Sequence, residues 1–117
     1  MVNKMNQKRI YDLESLKWLP IREDITSLVY GKSIIPRDWS NVKISVTKVS
    51  PNGEFNNHID SYHHVFYFLK GKGIGFIDNE EYEIKPELVV EIPAGIAHGY
   101  KNTSDENLLL LTINIPV

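Results

Sequence analysis

The sequence predicts an all-β fold, a small jelly-roll barrel preceded by a short N-terminal extension. Three observations point there. After Pro20, short runs rich in Val, Ile, Phe and Tyr alternate with clusters of Gly, Pro and Asn. Eight such runs follow one another between residues 27 and 116, and strands that short with turns that frequent belong to sandwiches and barrels. The length of 117 residues suits one domain, which buries most of its unfolded surface and needs no staple.

Residues 1–9 are polar and expected to fray. The stretch YDLESLKWLP predicts a short helix: Asp12 caps it, Leu13, Leu16 and Leu19 line one side, and Pro20 stops it. Residues 1–20 are thus an extension and residues 21–117 the barrel domain. Strands are expected at 27–35, 41–50, 64–71, 73–79, 80–85, 88–93, 98–103 and 107–116. The breaks between them are PNG, GKG, DNEE, PAG and TSDE, with DNEE reading as a tight hairpin turn. The run LLLLTINIP is apolar enough to lie between sheets or at a dimer seam.

Composition narrows the function. The hydrophobic share of 42% and charged share of 24% are ordinary for a globular protein. A net charge of -2 gives no basic surface for nucleic acid or an anionic membrane. The chain has no cysteine, which excludes disulfides, thiolate catalysis and thiolate metal sites, so any metal must be held by nitrogen and oxygen. The first residues lack the apolar core of a signal peptide and no stretch approaches a membrane span, so a cytoplasmic location is expected.

Chemistry concentrates in HIDSYHH, which holds His58, Asp60, His63 and His64. In an extended strand His58 and Asp60 project to one side. His64 opens the next apolar run, and His98 opens the strand after the corner that Pro93 and Gly95 form. Neighbouring strands of a narrow barrel bring such clusters together. Three imidazoles and one carboxylate are a reasonable ligand set for a divalent transition metal. By parity His63 faces outward. Phe66, Phe68 and Phe76 share even numbering with His58, Asp60 and His64, so these rings line a small-molecule pocket or fill the barrel core. Tyr62, Tyr67 and Tyr100 either donate to a substrate or pack with a wet hydroxyl.

At these residues the sequence resembles the cupin family, over roughly residues 42–116. Pro93, Gly95, His98 and Asn102 stand at the spacing of the second cupin motif, P-x-G-x2-H-x3-N, with Glu87 where a glycine is usual. Gly53, His58, Asp60, His64 and Gly71 occupy the places of the first motif. The resemblance implies a double-stranded β-helix and one Mn, Fe, Ni, Zn or Cu ion held by His58, Asp60, His64 and His98. Two positions depart from the common pattern: Asp60 replaces a histidine and His64 a glutamate, which keeps three histidines and one carboxylate. Asp60 then ligates directly, orients a histidine, or serves as a base beside an open coordination position. Asn102 is expected to hydrogen-bond within the turn or next strand. The resemblance further implies a homodimer paired through residues 21–36, and Phe66, Phe68, Phe76 and Tyr100 are the residues expected at a pocket. It implies a metal-dependent dioxygenase, isomerase, lyase or decarboxylase acting on a sugar or organic acid. The alternatives are a non-catalytic binding module and a metal-free epimerase.

Overall fold

The computed structural model describes residues 8–34 and 39–117. Nine strands form one curled sheet: β1 (Leu19–Pro20), β2 (Thr26–Ser33), β3 (Lys43–His58), β4 (His63–Lys70), β5 (Gly73–Ile77), β6 (Glu80–Ile84), β7 (Val89–Ile92), β8 (His98–Lys101) and β9 (Leu108–Ile115). The hydrogen-bonded order is β6-β5-β8-β3-β9-β4-β7, with β2 on β3 and β1 on β2. Every pairing is antiparallel.

Strand β3 organises the curl. Its first half pairs with β9 from Lys43 to Val49, and its second half pairs with β8 from Glu54 to His58. The change of partner falls at Pro51–Gly53, where Asn52 takes φ 68. A Cβ on Gly53 would come within 2.8 Å of the Leu28 and Ser50 carbonyl oxygens, so the corner requires glycine. PNG therefore bends a strand of 16 residues instead of ending one.

The interior is layered. Val29, Val49, Phe68, Ile84, Leu108 and Leu110 fill one end of the curl, each at most 2% exposed. Along β4 the inward side chains run Phe68, Phe66, His64, and along β9 they run Leu108, Leu110, Thr112, Asn114. Both strands turn from apolar to polar towards the same end. Asn102 is fully buried and ties the opposite end together. Its Nδ2 donates to the carbonyls of Val49 (2.9 Å) and Glu106 (2.7 Å), and its Oδ1 accepts from Ser104 N–H (2.9 Å).

Several expectations need correction. The predicted helix is a single 3-10 turn over Leu13–Ser15. Asp12 caps it through its backbone carbonyl, which accepts from Ser15 N–H at 3.0 Å. Pro20 does not stop an element but sits in β1, an edge strand where its missing N–H does no harm. Trp18 holds the N-terminal segment on the sheet, with Lys32 Nζ 4.4 Å and Lys48 Nζ 4.7 Å from its ring. The strand expected over 27–35 ends at Ser33, and Ile35 lies outside the described residues, as do residues 1–7 of the expected frayed terminus.

Phe76 does not share a face with Phe66 and Phe68. In β5 the inward positions are Gly73 and Gly75, opposite Ile84 and Tyr82, and Phe76 projects to the other side beside Glu81. A bulge between Phe68 and Lys70, where two residues of β4 oppose one of β9, resets the parity before β5. Tyr82 occupies the space at Gly75, which leaves no room there for a side chain.

Candidate metal centre

The polar end of the curl gathers residues from four places in the chain. His58 ends β3, Asp60 lies in the following loop, His64 enters β4 and His98 opens β8. A bulge in β3 decides the alignment: Phe55 pairs with Tyr100, yet His58, three residues on, pairs with His98, only two residues back. The extra residue places Phe55 and His58 on the same inward face, and their rings stack with centroids 4.5 Å apart. The Asp60 loop is fastened to the corner before β8 by Gly95 N–H, which donates to the Asp60 carbonyl at 2.9 Å.

The four side chains point at one another. One ligating atom from each of His58, Asp60, His64 and His98 lies within 4.8 Å of every other. Asp60 Oδ2 is the centre, 2.8 Å from His58 Nε2, 2.8 Å from His64 Nε2 and 3.5 Å from His98 Nε2. The other ring nitrogen of each histidine is committed. His58 Nδ1 lies 2.7 Å from the Asn56 carbonyl, His98 Nδ1 2.8 Å from the Ile96 carbonyl and His64 Nδ1 2.8 Å from Asn114 Oδ1. These oxygens only accept, so each Nδ1 donates outward and each Nε2 points inward.

Three Nε2 atoms therefore converge on a carboxylate. Burial raises the Asp60 carboxyl, but the hydrogen bond from Arg22 and the contact with His64 outweigh it and bring the group down to about 2. Asp60 is thus an anion. Burial lowers His98 to about 4, so at neutral pH its ring is uncharged. Its Nε2 is buried and has no hydrogen-bond partner. Buried polar atoms are rarely left unmade. A cation among these four atoms satisfies them together, and first-row ions bind imidazole nitrogen and carboxylate oxygen at about 2.0–2.2 Å, which suits donors this close. The donor set fits a divalent transition metal.

His63 stands apart from the cluster, its Nδ1 accepting from Ala94 N–H at 2.9 Å. Phe66 and Tyr100 line the cavity over the cluster, which has a volume of about 180 Å³. Phe68 packs beneath them in the core, and Phe76 is remote. A wider recess of about 450 Å³ opens outside and shares Tyr62 and Asn114 with the cavity. Burial raises the Tyr62 phenol, so it holds its proton at neutral pH.

Sequence reasoning missed three residues of this site. Arg22 reaches it from the turn between β1 and β2, with Nη1 2.6 Å from Asp60 Oδ1. Nothing local in its sequence marks it. Phe55 was hidden by the bulge, because parity counted from His58 sends it outward. Asn114 had a signal, since the alternating run Leu108, Leu110, Thr112, Asn114 turns polar at its end.

A sequence model of the cupin domain matches residues 45–114. The chain belongs to the cupin family. No curated protein emerges as a sequence match. Among solved structures, this cupin is similar to the polyketide cyclase RemF from Streptomyces resistomycificus, at 22% identity and TM-score 0.82, covering 93% of this chain and 79% of that one. It is also similar to a predicted oxalate decarboxylase from Thermotoga maritima, at 16% identity and TM-score 0.83, covering 93% and 100%. KdgF from Halomonas sp. is similar at 11% identity and TM-score 0.77, covering 95% and 96%. These likenesses establish the double-stranded β-helix of this cupin.

Proposed function

We propose that this cupin binds one divalent transition metal, Mn, Fe, Ni, Zn or Cu, and acts through it as an enzyme on a small polar molecule. The ligands are Nε2 of His58, His64 and His98 together with Oδ2 of Asp60. What supports the reading is the convergence of three Nε2 atoms on one Asp60 oxygen, with the Nδ1 of each of these three rings held by an oxygen acceptor. A bound ion would act as a Lewis acid towards a substrate oxygen. The chain supplies the rest. Phe55, Phe66 and Tyr100 exclude water from the inner wall. The Thr47 and Thr112 hydroxyls, 2.9 Å apart, offer orienting groups, and the protonated Tyr62 phenol is a proton donor at the mouth. Dioxygenase, isomerase, lyase and decarboxylase chemistry on a sugar or organic acid all fit this arrangement.

Elemental analysis of protein purified without added metal is the direct test, with about one equivalent of a transition metal per chain expected. Failure to take up Mn, Fe, Ni, Zn or Cu on reconstitution would sink the reading and leave metal-free acid–base chemistry or plain binding.

The working form is a homodimer. Its support is the outer face of the sheet, where Val46, Leu111, Tyr67 and Val89 lie in one row across four strands and Ile44, Ile113 and Val65 in the next. Apolar patches of that kind mark interfaces. Light scattering after gel filtration should return twice the chain mass of 13.5 kDa. Leu111→Glu, which puts a charge in mid-row, should return the monomer mass, and a wild-type monomer at micromolar concentration would refute the dimer.

A further inference from the structure

We propose that Arg22 is an anion receptor that selects carboxylate-bearing ligands for this cavity, an assignment that rests on the metal reading above. Four observations carry it. Arg22 is the one Lys or Arg side chain in the cavity wall among the described residues. Its side chain is 40% exposed while the Asp60 side chain it touches is 6% exposed, so it reaches from the mouth to the centre. Nη1 holds Asp60 Oδ1, on the side of the carboxylate away from the histidines, and a guanidinium has further N–H donors in a fixed fork suited to a second carboxylate. The residue sits at φ 45, in the left-handed region that non-glycine residues rarely adopt. Backbone strain of that kind is kept where surroundings fix a side chain for use.

The turn that presents Arg22 is rigidly tied. Ile25 N–H donates to the Arg22 carbonyl at 2.9 Å, Thr26 Oγ1 to the Ile21 carbonyl at 2.6 Å, and Asn56 N–H to the Ile25 carbonyl at 2.8 Å. The guanidinium is therefore a fixed feature of the mouth. A divalent ion and Arg22 against the single Asp60 carboxylate leave the cavity with an excess of positive charge, which an anionic ligand balances. The volume of about 180 Å³ admits a small molecule only. The ligand class is accordingly a small carboxylic acid with a second oxygen: one carboxylate on Arg22, and the other oxygen towards the histidine cluster or the Thr47 and Thr112 hydroxyls.

The test compares lactate with lactamide, its uncharged counterpart, on the Co(II)-loaded protein, read by the visible absorption of the ion. Wild type should bind lactate at least tenfold more tightly, Arg22→Gln should cut that preference severalfold with Co(II) still bound, and Arg22→Lys should restore part of it. Equal affinities in wild type, or an undiminished preference in Arg22→Gln, would overturn the assignment. If wild type or Arg22→Gln takes up no Co(II), the decision passes to metal-free protein. There Asp60→Asn releases the guanidinium, so lactate but not lactamide should raise the melting temperature of that variant and not of the Asp60→Asn/Arg22→Gln pair. No lactate-specific rise overturns the Arg22 assignment. Absence of Co(II) uptake by wild type counts against the metal reading alone.

Discussion

His98→Ala is expected to abolish metal retention while leaving a folded protein. In the proposed site His98 supplies one of four ligating atoms, and its Nε2 has no hydrogen-bond partner. Loss of partners that only orient a ligand costs about 10–100-fold in affinity, so losing a ligand should cost more than about 100-fold. In the metal-free chain the same change removes a buried, unpaired acceptor, a group costly to leave unmade. That relief opposes the loss of ring packing against His58, His64 and Phe66. The metal-free melting temperature should therefore move little. The stabilisation conferred by metal should disappear: at one hundred times Kd a ligand contributes about 2.7 kcal/mol, on the order of 10 °C for a domain of this size. Elemental analysis and paired melting curves read both effects. A variant that keeps one equivalent of metal through dialysis would remove His98 from the ligand set.

Asn102→Ala is expected to be the most damaging polar truncation, and for a reason unrelated to the metal. The amide joins the corner before β9 to β3 through donors to Val49 and Glu106 and an acceptor for Ser104. Alanine leaves the buried Val49 carbonyl and its companions unpaired, and an orphaned buried group costs about 1–3 kcal/mol. A loss of about 2–4 kcal/mol follows, measurable by urea unfolding. Asn102 does not line the cavity, so the folded fraction should bind metal with unchanged stoichiometry. Loss of metal from a folded Asn102→Ala protein would show that the motif asparagine acts on the site and not on the corner.

The part of this protein that could be read before folding is the part written in local chemistry. Eight of the nine strands announce themselves through short β-branched and aromatic runs, and the hairpin at Asp78 and Asn79 through its turn residues. His58, Asp60, His64 and His98 stood out because metal chemistry needs those residue types, and family spacing joined two segments 34 positions apart. Asn102 was expected to hydrogen-bond within the turn or next strand, and it bonds the turn at Ser104 and Glu106.

What failed were the steps where a bulge broke side-chain parity, while the parity carried from His58 through the loop to His64 and Phe66 held. Phe76 was placed inward by counting from β4, but the bulge between Phe68 and Lys70 reversed the count. Phe55 was overlooked because the bulge after it adds one residue before His58. PNG was read as a strand end because Pro, Asn and Gly also bend a strand that changes partner.

The sequence by itself determined that this chain is an all-β cupin with a nitrogen and oxygen ligand set, since strand propensity, turn residues and ligand type are properties of residues and their near neighbours. Only the tertiary structure decided that Asp60 is the hub of three imidazoles, that every Nδ1 is held by an oxygen, and that Arg22 closes the far side of the carboxylate. Those facts depend on register and on pairings across tens of residues. The physical reason is that the period-2 rule is local, and each bulge or turn resets it with no mark that a single sequence displays.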